Sequence, residues 1–194
     1  MSLKQIILSA ALVSSTSCYY GHLAKGQLDL RFNQVPIERA IKDEQNSSVR
    51  DLLSEVPDIK SFSEEFIGLD KSDNYSGYYR TDKEGVSFIV TASKKDKLEP
   101  YVWCYPIIGK APYKSFFDKK QALDLSEELK SEGYDPFIFP ATAYSTLGWF
   151  KDPVVTPMLQ GSLYDLAWVV IHELTHGTMF VNNDVEFNEQ LASF

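Results

Sequence analysis

Cysteine, histidine and long apolar runs are all scarce in this chain, and each scarcity removes a class of protein. Two cysteines, Cys18 and Cys104, occur in 194 residues, so the chain is not a disulfide-stapled scaffold. No apolar run approaches the ~20 residues needed to cross a bilayer as a helix. The 19 Lys and Arg are scattered rather than gathered on one element, against a formal net charge of -8, which leaves no electrostatic footprint for nucleic acid. Internal repeats and low-complexity tracts are also missing, which excludes solenoids and arrays.

What is present is an ordinary globular balance, with 44% hydrophobic, 13% aromatic and 24% charged residues. A chain of this length supports one full domain with its own core. The N-terminus, "MSLKQIILSAALVSSTSC", has a basic start at Lys4, an apolar stretch from Ile6 to Val13 and small residues Ser14 to Ser17. That pattern is an export signal, and Cys18 behind small residues is the expected acceptor of a lipid anchor, although Ser15 stands where such signals usually carry Leu. The expectation is therefore an exported protein of the cell envelope or periplasm, in contact with membrane only through a lipid on Cys18. Ordinary signal cleavage with an incidental cysteine is the alternative.

From Tyr19 to Leu69 the apolar spacing is helical, with Val49, Leu52, Leu53 and Val56 recurring on one stripe and Pro36 suited to a first turn. "NYSGYYR", "GVSFIVTAS" and "YVWCYPII" are β-branched and aromatic segments bounded by turn residues, and predict a small sheet. "DKKQALDLSEELKSEGYD" predicts a helix carrying Ala122, Leu123, Leu125 and Leu129 and stopped by Gly133, after which "PFIFPATAYS" returns to extended structure. "LGWFKDPVVTP" is predicted as loop. The fold class expected from this order is α+β, with a helical N-terminal part and a small β-sheet.

The chemistry is concentrated in "SLYDLAWVVIHELTHG". Ser162 and Asp165 form a capping box ahead of an almost wholly apolar helix, with Gly177 near its end. On that helix His172 and His176 stand at i and i+4, so both imidazoles leave one face a turn apart, the spacing for two nitrogens on one tetrahedral zinc. Glu173 lies beside that face and is placed to take a proton from a zinc-activated water. A third ligand is required. Met179 and Asn182 occupy the positions where the longer metzincin pattern needs Gly and His, so a carboxylate must serve. Asp184, Glu186 and Glu189 are the nearby candidates. Glu189 is chosen, because "NND" can reverse the chain and bring a second helix, capped by Asn188 with Glu189 in its first turn, back against the first. His22 has no partner pattern and is expected to be structural or exposed.

The segments "CYYGHLAKGQLDL", "WCYPIIGKAPYKSFFD", "AYSTLGWFKDP", "HELTH" and "FNE" together resemble a bacterial aminopeptidase family of gluzincin-type zinc metallopeptidases, often lipoproteins. The resemblance covers nearly the whole chain, and "HELTH" with a later "NE" is similar to thermolysin. It implies a zincin-like active-site helix, a signal in residues 1–18, a metallopeptidase domain in 19–194, Zn²⁺ on His172, His176 and Glu189, Glu173 as general base, and a peptide or protein as substrate. Two departures stand out. Lys110 replaces a cysteine that similar proteins often carry after the "WC" pair. Similar proteins also continue past the "FNE" helix, so a His or Tyr that stabilises the oxyanion is expected beyond Phe194, and the 194-residue chain is expected to be weak or inactive alone. The alternative function is a zinc-binding or chaperone-like envelope lipoprotein without turnover.

Overall fold

A computed structural model of the chain describes residues 19–105, 109–146 and 150–194. Cys18 and the signal expected over residues 1–18 lie outside the described residues. The architecture is mixed α+β, as the order of patterns predicted. Helix α1 (residues 19–33) leads into a two-residue strand β1 (Val35–Pro36), then α2 (Ile37–Asp43) and α3 (Ser47–Phe62), which widens into a π-helical turn Ser63–Ile67 ending at Gly68. The strands are β2 (Gly77–Tyr79), β3 (Ser87–Lys94), β4 (Trp103–Tyr105), β5 (Gly109–Ala111), β6 (Lys114–Phe116), β7 (Tyr134–Ala141) and β8 (Val154–Val155). Helix α4 (Lys119–Ser131) lies between β6 and β7, and α5 (Leu163–Thr178) and α6 (Val185–Ser193) close the described chain.

Three small sheets result. β3 is central to an antiparallel sheet ordered β6-β3-β7, β4 and β5 form a hairpin, and β2 joins β1 antiparallel on one side and β8 parallel on the other. The β8 pairing corrects the expectation of a plain loop over "LGWFKDPVVTP": Val154 and Val155 are fully buried against Tyr78 and Tyr79, and a 3₁₀ turn Thr156–Leu159 follows. Two residues flanked by prolines are too few to show a period of two, so only the tertiary pairing makes them a strand.

Alternation along β3 divides the interior. Phe88, Val90 and Ala92 point to one face and pack with Phe116, Ala122 and Leu129 from β6 and α4, whereas Ile89 points the other way. Ala122, Ser126 and Leu129 are the buried stripe of α4, while Leu123 faces solvent, off the stripe it was expected to join. Gly133 ends this region at φ 90°, a left-handed conformation that an L side chain would strain.

The larger core lies on the other side. Leu53 and Val56 of α3 meet Leu166, Val170 and Leu174 of α5, with Tyr75, Tyr78, Val154, Val155 and Met158 filling between them. Residues 166, 170 and 174 repeat every fourth position, so one edge of α5 is committed to this contact. Each of these fully buried aliphatic side chains contributes about 1.5–3 kcal/mol on removal from water. Pro36 caps α2 instead of entering its first turn. His22 accepts a hydrogen bond from the Phe117 amide at 2.9 Å, a structural role. Among the described residues no helix is long and apolar enough to cross a membrane, and Cys104 is an exposed free thiol.

Candidate metal centre

Helix α5 starts where the capping box places it. The Ser162 side chain accepts from the Asp165 amide, and the Asp165 carboxylate accepts from the Ser162 amide and hydroxyl at 2.8 and 2.6 Å. This double cap satisfies donors that a helix start leaves open. Starting there fixes the phase of the helix, and with Leu166, Val170 and Leu174 turned into the core, His172 and His176 fall on a neighbouring face. Both are buried, and Gly177 lies inside the last turn, which ends at Met179.

The second helix returns as the chain-reversing turn suggests, by a different device from the one expected. Asp184, not Asn188, caps α6, its side chain accepting from the Phe187 amide at 3.1 Å. Glu189 is therefore in the second turn of α6, not the first. Asn188, 1% exposed, is turned inward, where its side chain accepts from the Val181 amide at 2.8 Å and donates to the Val181 carbonyl at 2.9 Å. Two Asx residues competed for the cap, and burial of the second decided the outcome. Asn183 takes φ 65° in the turn, and its side-chain oxygen accepts from the Lys110 amide at 3.3 Å. A Cβ on Gly109, itself at φ 79°, would fall 2.0 Å from that oxygen, so only glycine lets the β4–β5 hairpin sit against the α5–α6 turn.

The outcome is a convergence of three ligand groups. His172 Nε2 lies 3.1 Å from His176 Nε2, Glu189 Oε2 is 3.3 Å from His172 Nε2, and Glu189 Oε1 is 3.6 Å from His176 Nε2. A tetrahedral ion with ligands at 2.0–2.1 Å has ligand–ligand edges of about 3.3 Å; the His172–His176 separation is close to such an edge, and Glu189 sets one carboxylate oxygen near each ring. Among the described residues, His172, His176 and Glu189 form a group able to hold a metal ion. Asp184 is occupied as a cap, and Glu186 bonds with Gln190 on the same helix at 3.2 Å.

The electrostatics agree with a site built for positive charge. Hydrogen bonds from the two imidazoles hold the Glu189 carboxyl down at about 2, and the Glu189 carboxylate raises His172 above the usual imidazole value. The Nδ1 atoms of His172 and His176 are buried and without a hydrogen-bond partner among the described residues. It is the opposite nitrogen of each ring, Nε2, that faces Glu189. The Trp168 ring packs 4.9 Å from the His172 ring and screens one side of the pair.

Glu173 projects to the neighbouring side, partly buried. Burial raises its carboxyl pKa, opposed by both histidines and by a hydrogen bond from Ser145. Near it lies a constellation that sequence reasoning missed. Asp152, 2% exposed, accepts from the Thr146 amide at 2.8 Å and the Thr146 hydroxyl at 2.9 Å, and burial pushes its carboxyl up to about 6. Its backbone amide donates to Asn74 Oδ1 at 3.1 Å and its carbonyl accepts from the Tyr75 amide at 2.7 Å. Tyr75 is itself buried at φ 61°. "PFIFPATAYS", "LGWFKDPVVTP" and "NYSGYYR" were legible as extended, loop and strand; that Thr146 and Asp152 join Asn74 and Tyr75 near Glu173 was not, because the two regions lie about 70 positions apart.

Fold and site together define an α+β protein in which a helix carrying HELTH and a carboxylate from the following helix bring together three residues able to hold a metal ion. The sequence pattern of the family described as "Putative aminopeptidase" matches residues 18–194, and the chain belongs to that family. No curated protein and no solved structure matches the chain.

Proposed function

We propose that the protein is a zinc-dependent peptidase with a zincin-like active-site helix, in which His172, His176 and Glu189 hold one Zn²⁺ and Glu173 is the general base. The observation that carries this reading is the convergence of three side chains from two helices, the two Nε2 atoms 3.1 Å apart and the two Glu189 oxygens 3.3 Å from His172 and 3.6 Å from His176; three ligands leave one tetrahedral corner for water. A bound zinc supplies a Lewis acid and brings the pKa of a coordinated water to about 7.

The protein's own groups do the rest. The two imidazoles and Glu189 offer two neutral donors and one negative charge, which favours a dication without cancelling it. Glu173, not needed as a ligand, accepts a proton from the attacking water and passes it to the leaving amine, so that water adds across the C–N bond as an acid and an amine. The family description supports a peptide substrate and release of N-terminal residues. Export and a lipid on Cys18 remain part of the proposal, supported by the N-terminal segment pattern; palmitate labelling of the expressed protein should disappear in Cys18→Ser.

The test is metal content together with turnover. Purified protein should contain one zinc per chain by elemental analysis, and hydrolysis of a peptide library should stop on chelation and return with Zn²⁺. Protein that takes up no stoichiometric zinc would overturn the reading, and a zinc-loaded full-length parent inert toward all peptides would leave a binding protein in its place.

A further inference from the structure

The proposed general base has a positional problem. Glu173 carries three side-chain torsions and sits at the margin of the buried helix face, between two imidazoles that attract its carboxylate and the Glu189 carboxylate that repels it. A base misplaced by about 1 Å can lose on the order of 10²-fold in rate, so an efficient site needs a group that fixes Glu173 from behind.

The loop before β8 supplies one. Ser145 hydrogen-bonds to the Glu173 carboxylate. The next residue, Thr146, is held from several directions: its amide and hydroxyl both donate to the Asp152 carboxylate, and its hydroxyl accepts from the Phe150 amide at 3.0 Å. Asp152 is in turn fixed through its backbone by Asn74 and Tyr75. The segment carrying those two residues is itself anchored to α5, since the Asp70 amide donates to Thr178 Oγ1 at 3.0 Å, and Asn74 would touch a Cβ placed on Gly177 at 4.0 Å. The support thus begins and ends on the helix that carries Glu173. A buried carboxylate with several hydrogen bonds, a fixed threonine and a serine on the base form one connected path.

We propose that Ser145, locked by the Thr146–Asp152 clamp, is a positioning residue that holds the Glu173 carboxylate in its working orientation. This rests on Glu173 being the general base of the proposed peptidase. Ser145 touches neither metal nor substrate; its effect passes through Glu173.

Ser145→Ala should lower kcat by about 10–100-fold, the usual consequence of removing a support of this kind, with zinc content, KM and melting temperature close to the parent. Ser145→Thr, which keeps the hydroxyl, should restore most of the loss. In a Glu173→Gln background Ser145→Ala should change the residual rate less than about twofold, because the two act as a unit. A zinc-free crystal structure of Ser145→Ala should show Glu173 in more than one rotamer with His172 and His176 unmoved. Full activity in Ser145→Ala, an equal loss in the Glu173→Gln background, or a single unchanged Glu173 rotamer would each overturn the inference. If the parent shows no zinc-dependent hydrolysis, the proposed function fails instead, and the rotamer of Glu173 still decides the role of Ser145.

Discussion

Helices α4 and α5 are built by the same rules and end with different amounts left over. Each begins at a side-chain cap, Asp118 or Ser162, and each turns a stripe of small and aliphatic residues into a core. For α4 the account then closes: Ala122, Ser126 and Leu129 explain its burial against β3 and β7, and its remaining faces are mostly charged, with Leu123 exposed among them. For α5 the stripe of Leu166, Val170 and Leu174 explains packing on α3, yet two more buried positions are histidines whose Nδ1 atoms have no partner among the described residues. Burying such groups costs stability unless something compensates. That excess of buried polar groups, absent from α4, sets α5 apart as the helix that carries the candidate site.

The comparison breaks most sharply at the ligands. His172→Ala and Glu189→Ala should each abolish stoichiometric zinc, while Asp184→Ala and Glu186→Ala retain it; elemental analysis of the four variants decides the ligand set. Next comes Glu173→Gln, which keeps shape but cannot accept a proton. It should retain zinc and lose about 10²- to 10⁴-fold in peptide hydrolysis, and equal loss of both would make Glu173 a ligand instead. On α4 the matching experiment is Leu129→Ala, which should cost about 2–5 kcal/mol in denaturant unfolding with zinc content unchanged in the folded fraction.

The pH response should also separate the two helices. The His172 pKa is raised, so its contribution to the stability of the metal-free protein is full below its ordinary value of 6.5 and fades as pH rises through the raised value. Glu189 is depressed from 4.5 to about 2, so its contribution is present above 4.5 and is lost as pH falls toward 2. The metal-free site therefore favours the window between 4.5 and 6.5. Zinc needs neutral imidazole and competes with the His172 proton, so the gain in melting temperature on adding zinc should grow as pH is raised from 6 to 8. A gain that is flat across this range would refute the proton competition. The smallest effect is expected at the α4 cap, where Asp118→Ala should cost about 1 kcal/mol and leave zinc affinity untouched.

The parts legible in sequence were those fixed by local physics. The capping box and the i,i+4 histidines follow from helix geometry, the alternation in "GVSFIVTAS" from the pleat, and the Gly133 stop from its left-handed backbone. Glu189 was reached by the same logic, although the cap that positions α6 is Asp184 and not Asn188. Local patterns gave little where long-range pairing decides. Val154 and Val155 become a strand only because β2 lies beside them, and the Asp152 clamp exists only because residues near 75 and near 150 meet at α5.

The inward-turned Asn188 has one more consequence. By bonding both the amide and the carbonyl of Val181, it replaces a pair of backbone hydrogen bonds inside an exposed turn and ties α6 to the end of α5 through its own side chain. Glu189, the proposed third ligand one residue further on, is thereby held before any ion arrives. Little chain entropy remains to be lost on capture, so filling and emptying should resemble entry into a rigid chelator rather than coupled folding. In exchange with deuterium, the Val181 amide should be protected far beyond its neighbours in the turn, and equally so with and without metal.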